Sequence, residues 1–364
     1  MEEGRTVKMI SLSRAGVASE DVLCVVAVLD SAEIYQPDAR AYQYRHRADF
    51  GEYWYYENFP LSVQDIVYFD DHNSSQSYFV LLSAEGDVYH FASPDRFQER
   101  IVGAGTTADD SKFYGKMLKI SQIGERLYAC GAGGQVYVRH GRDDWRMLSD
   151  AVLNDPEAKK RLLESGPSLG QPGWKEWIIQ KALNPGTREV VFYDIKGLSE
   201  DAIYVCGTER TKPVLCFWDG SELHEINIPL AEAALTGIYI ENAESVWVCG
   251  REGVILHGSR NRGFAPVNAD TRLNLFHSIT PYRGKLVLPA SVRPGGLYEL
   301  DPSSGEFHRF QPPLPRLMSR DDPESIDDGP FFAQSVGDVL WVVASKDIFR
   351  FDGQAWERIK HPDI

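Results

Sequence analysis

Cysteine is scarce in this chain of 364 residues: five in all, an odd number, with no CxxC pair. That pattern fits a reducing compartment better than a secreted disulfide scaffold. The nine histidines include neither HxH nor HExxH, so no metal signature stands out and no cofactor is expected. Long apolar runs are missing as well. Val22 to Leu29 is too short for a signal core or a membrane span, and the opening MEEGRTVKMISLSRAG has no basic segment leading into an apolar one. A cytoplasmic protein is expected, with no membrane association. Positive charge is in deficit, 38 basic against 53 acidic residues for a net charge of −15. This disfavours a nucleic-acid groove and docking on anionic lipid, and it favours a basic partner.

Catalytic motifs are poor. Gly166-Pro167-Ser168-Leu169-Gly170 satisfies GxSxG, but a nucleophile elbow needs a strand before the serine and a helix after it; here Gln171-Pro172-Gly173 follows. Gly103 to Ala108 imitates a dinucleotide fingerprint without the βαβ setting and reads as a loop. The expectation is a chain that is not an enzyme.

What is present is repetition. LYACG (127 to 131), IYVCG (203 to 207) and VWVCG (246 to 250) are near copies, each followed by a turn, Gly-rich after the first and third, and a second apolar strand. Weaker copies occur at 24 to 35, 78 to 91, 285 to 300 and 339 to 351. Aligning them places Val26, Val80, Tyr128, Tyr204, Trp247, Val287 and Trp341 at one equivalent position, with steps of 54, 48, 76, 43, 40 and 54 residues. A base period of about 40 to 50 residues suits four strands per unit. Flanking strands complete each unit, such as LKISQI before the motif at 118 to 123 and WERI after it at 356 to 359. The expected fold is all-β, a single β-propeller over residues 1–364, with seven four-stranded blades and with six or eight as alternatives. Cys130, Cys206 and Cys249 fall at equivalent strand positions in different blades, where they read as small core hydrophobes held apart by the ring; Cys24 and Cys216 complete the odd count.

The phrasing of VWVCGREGVILHG (246 to 258) and IFRFDGQAW (348 to 356) resembles bacterial propeller repeats of the WAVGxxGxILHYDGxxW type. It is also similar to the propellers of photosystem II assembly factors and, more distantly, to Asp-box repeats. The last pattern is partial: Asp352, Gly353 and Trp356 match it, while Asp219, Gly220 and Leu223 lack the tryptophan. The resemblance implies the fold and no chemistry.

The over-long steps expose two insertions. Leu153 to Arg188, between blades 3 and 4, reads as helical: Asp155 caps a first helix opened by Pro156 and ended by Gly166, and Gly173 to Leu183 forms a second carrying Trp174, Trp177, Ile178 and Leu183. Gln311 to Asp328 carries an acidic cluster, Asp321, Asp322, Glu324, Asp327 and Asp328. Both join the last strand of one blade to the first of the next, so they should rim one face. A third unusual stretch, FGEYWYYENF (50 to 59), holds Tyr53, Trp54, Tyr55 and Tyr56; strand alternation sends about half of these to each side.

Trp174, Trp177, the five carboxylates, Tyr53, Trp54 and Tyr56 are therefore the candidate partner-binding residues. Aromatic anchors beside carboxylates suit a protein with an apolar spot and a basic surround. In its most concrete form this is a bacterial immunity or antitoxin-like protein that blocks a basic toxin domain, such as a nuclease. The competing reading, prompted by the aromatic run and partial Asp boxes, is a glycan-binding or glycan-hydrolysing propeller, which would need convergent carboxylates at the channel mouth.

Overall fold

The computed structural model describes residues 10–30, 39–46, 54–72, 74–92, 95–158, 161, 165–167, 171–183, 188–267, 275–292, 295–318 and 329–364. Its strands form seven four-stranded antiparallel sheets, each built from four consecutive strands in simple up-and-down order. The blades begin at Ile10, Val63, Met117, Val190, Leu235, Thr280 and Phe332. The seven aligned residues Val26, Val80, Tyr128, Tyr204, Trp247, Val287 and Trp341 all lie on the second strand of their blades, and all are buried.

A second strand has a neighbouring blade on each side, so both of its faces are covered. Ser245–Gly250 is buried from its second residue to its last, and Arg126–Gly131 follows the same pattern. This is why the repeat reads as a continuous apolar run instead of an alternating one. The glycine closing each motif has a steric cause. A Cβ on Gly131, Gly207 or Gly250 would collide with the backbone carbonyl of Lys116, Val191 or Ala234, at the start of the adjacent first strand.

Apolar side chains gather in seven clusters, one at each seam between blades. All five cysteines are buried and free within this packing. Burial pushes the Cys216 thiol up to about 12, and the other four are raised for the same reason.

Polar latches run around the inner ring. Asp65 of blade 2 accepts the Ile120 amide of blade 3 at 3.0 Å, and Asp194 of blade 4 accepts the Ile238 amide of blade 5 at 2.8 Å. At the seam between blades 2 and 3, the Met117 amide donates to Ala84 O at 2.9 Å; at the closing seam, the Leu12 amide donates to Ser345 O at 2.8 Å. Blade 7 takes no strand from blade 1, so the ring closes by packing, side-chain bonds and the Leu12–Ser345 main-chain bond. Tyr42, Tyr44 and Trp341 share the closing cluster, and Trp54 Nε1 donates to Lys360 O at 3.1 Å.

Candidate functional site

Antiparallel order fixes where the loops go. Connections from the fourth strand of one blade to the first of the next emerge on the same face as the turns between second and third strands. Both insertions belong to that face. The first is rooted firmly: Val152 is buried in the cluster between blades 3 and 4, Asn154 N donates to Gly133 O at 2.8 Å, and Asn154 Oδ1 accepts the Val190 amide at 3.0 Å. At its far end Arg188 pairs with Glu209 at 2.9 Å and Glu225 at 2.5 Å.

Within the insertion, Asp155 Oδ1 accepts the Glu157 amide at 3.0 Å, which is the expected cap, and helical bonds join Arg161 N to Glu157 O and Ser165 N to Arg161 O. The second helix spans Trp174–Leu183, after Gly173 at φ +82°. Trp177 lies against Gly166, so its half-buried ring packs within the insertion. Trp174 is also half-buried, whereas Ile179 projects 60 % exposed. Ser168 of the GxSxG match lies outside the described residues.

The second insertion is anchored by Leu317, buried between blades 6 and 7, and by the Met318 amide, which donates to Asp347 Oδ2 at 2.7 Å. Asp321, Asp322, Glu324, Asp327 and Asp328 lie outside the described residues, as does Tyr53. Trp54 and Tyr56 sit on the outer strand of blade 1, where they face the seam with blade 7. The Trp54 ring lies 4.8 Å from Tyr44 and 4.7 Å from His361, and the Arg40 guanidinium covers Tyr56 at 4.3 Å. Tyr55 points the other way and accepts a hydrogen bond from Arg96 at 2.7 Å. Trp54 starts a fourth strand, on the face opposite the insertions, so it does not share a surface with Trp174 and Trp177.

Sequence reasoning missed a different set of residues. Ten large apolar side chains are exposed among the described residues, and six of them (Val28, Val102, Phe113, Ile179, Val292 and Met318) lie at second-strand ends or in the connections of the insertion face. They share that face while belonging to different blades, with Val102 and Phe113 together in the connection between blades 2 and 3. Phe113 is the most unusual of the six. Its backbone is left-handed at φ 60° and its side chain is 67 % exposed, a costly placement for a bulky residue. The loop holds it there. Lys112 N donates to Gly103 O at 3.0 Å and Phe113 N to Ser111 Oγ at 3.0 Å, with Val102 (67 % exposed) flanking the same pairing. Only the glycines of this loop were legible beforehand.

The Asp-box aspartates are engaged in turns. Asp219 Oδ1 accepts the Ser221 and Glu222 amides at 3.0 and 2.9 Å, and Asp352 Oδ1 accepts those of Gln354 and Ala355, both at 2.9 Å. These bonds hold both carboxyls below the usual range. His257 stacks on Trp247 at 4.0 Å and bonds Ser245 Oγ at 2.9 Å, a structural arrangement. No group of three or more potential metal-binding side chains occurs among the described residues, and no described helix is long and apolar enough to cross a membrane.

The fold defines the class: the chain is a seven-bladed β-propeller. Solved propellers superpose over nearly its whole length. A catalytically inactive virginiamycin B lyase from Staphylococcus aureus with quinupristin aligns with a TM-score of 0.60 at 10 % identity, covering 94 % of each chain. The WD40 propeller domain of Doa1 aligns with a TM-score of 0.57 at 9 % identity, covering 93 % of this chain and 91 % of that one. In sequence, the chain is 25 % identical over 280 residues to the Immune protein Tsi7 of Pseudomonas aeruginosa strain PAO1, covering 77 % of this chain and 75 % of that protein. No protein-family profile matches the chain.

The lyase neighbours correct one expectation. Absence of a catalytic motif pointed away from an enzyme, yet enzymes are built on this same architecture, so that exclusion does not stand. At 10 % identity the likeness shows the fold and carries no lyase chemistry to this chain.

Proposed function

We propose that this chain is an immunity protein: one propeller body whose insertion-bearing face binds and blocks a toxin domain. The observation that carries the reading is the concentration of exposed apolar side chains on that face, with Phe113 held in a strained backbone and Ile179 presented by the inserted helix. Such anchors, ringed by polar loops, have the make-up of a protein interface. Similarity to Immune protein Tsi7 across three quarters of both chains supports the biological role. The net charge of −15 supports a basic partner, because opposite charge speeds encounter and penalises wrong pairings.

The test is co-expression with a toxin domain encoded beside this chain, followed by purification of the pair. Restored growth together with a stoichiometric complex that weakens as salt rises is the expected result. Growth arrest despite soluble protein, or no complex at low salt, refutes the reading.

A further inference from the structure

On the face opposite the insertions, the outer parts of blades 1 and 2 separate into a groove of about 920 Å³. Its lining comes from the turns between first and second strands and between third and fourth strands, the set of loops that the insertion face lacks. The volume is at the upper end of what small-ligand clefts occupy. Tyr68, Phe79 and Phe91 form apolar wall, and Gln43, Gln76 and Ser77 supply amide and hydroxyl groups.

Charge separates this groove from the rest of the molecule. On a chain of net charge −15, the fifteen described lining residues include Arg45 and Arg96 and no carboxylate. Arg96 is committed, bound to Glu57 and to Tyr55 Oη at 2.7 Å. Arg45 is exposed, and its guanidinium makes no hydrogen bond or ion pair among the described residues. Of the nearby described carboxylates, Glu57 is taken by Arg96, Asp70 accepts from Ser77 at 2.8 Å, Asp71 from Ser74 at 2.8 Å and Glu20 from the Asp338 amide at 2.8 Å, and Asp21 pairs with Arg350 at 3.4 Å.

The geometry points to a second binding site, in which this groove takes an acidic peptide segment of a protein partner. One carboxylate pairs with Arg45, backbone groups meet Gln43, Gln76 and Ser77, and an apolar or aromatic side chain inserts against Tyr68 and Phe91. The occupant is opposite in charge to the partner proposed for the insertion face, and the two sites lie on opposite faces, so each stands without the other.

Selection of a random octapeptide phage library on the whole protein tests the assignment. Enriched peptides should be rich in Asp and Glu with an aromatic or aliphatic residue between them. Their synthetic versions should lose at least tenfold in affinity with R45E or with the groove-filling Q76W, and should bind F113D unchanged. Both altered groove side chains are exposed, so matching thermal melts establish that the variants are folded. An unenriched pool, an enriched pool without acidic excess, or R45E binding as well as the parent overturns the proposal. Oligosaccharides that saturate the groove where peptides do not would also overturn it.

Discussion

The His361 ring meets the Tyr42 ring edge-on at 4.3 Å, joining residues on opposite sides of the closing seam. Asp363 extends the contact, accepting from Tyr42 Oη and pairing with Arg40 at 3.1 Å. Burial away from water pushes the His361 imidazole down to about 4, so it is neutral in the folded ring. A histidine depressed in the folded state stabilises fully above its unfolded pKa of about 6.5, and the contribution is lost as pH falls towards 4. Linkage puts this at up to about 3 kcal/mol. Denaturation midpoints should therefore fall between pH 6.5 and 4, and His361→Phe, which keeps the ring contacts without titrating, should fall less over that range.

Glu99 anchors the seam between blades 2 and 3 and titrates in a separate window. Its buried carboxylate accepts from Arg139 Nη2 at 2.6 Å and from Trp145 Nε1 at 2.8 Å, with His90 Nε2 at 3.3 Å. Burial opposes ionisation, but the bonds and charges of Arg139 and His90 outweigh it and bring the carboxyl down to about 2. Its stabilisation is present above the unfolded value near 4.5 and disappears as pH falls towards 2. Glu99→Gln should cost about 3 to 5 kcal/mol in urea denaturation at pH 7, because it strands the Arg139 guanidinium. A Glu99→Met, Arg139→Met double variant should recover part of that loss.

The inner latch at Asp194 makes a milder prediction. Removing the acceptor of the Ile238 amide leaves a buried donor unpaired, so Asp194→Ala should cost about 1 to 3 kcal/mol by chemical denaturation. Asp219→Ala, which opens an exposed turn, should cost less.

Thiol chemistry provides a direct check on the packing. With all five cysteines buried and raised in pKa, the native protein should react with Ellman's reagent only on the timescale of unfolding, and should release five equivalents in denaturant. Fast modification of any thiol at pH 8 would show that its seam is open.

How much of this was legible depends on how local each cause is. The positions from Val26 to Trp341 could be aligned because every second strand meets the same environment, two covered faces and a close first strand, so Gly131, Gly207 and Gly250 recur for one steric reason. The helix at Trp174–Leu183 was signalled by Gly173 and its apolar content. Alternation split the aromatic run as expected, but the seam each half faces follows from the register that pairs Tyr44 with Trp54. Closure by His361 on Tyr42 depends on contacts between residues far apart along the chain, which no local pattern encodes. Exposure of Phe113 was hidden for a related reason: a phenylalanine in an interblade loop reads as core until the loop's own hydrogen bonds turn it outward.

The central claim is that the insertion-bearing face binds the partner. It is tested most directly by measuring the affinity of the co-purified toxin domain for Val102→Asp, Phe113→Asp and Ile179→Asp variants beside Leu198→Asp, an equally apolar exposed site on the opposite face. The account predicts at least a tenfold loss for Phe113→Asp, smaller losses for Val102→Asp and Ile179→Asp, and no change for Leu198→Asp. Parental affinity in the first three variants, or loss confined to Leu198→Asp, would contradict it.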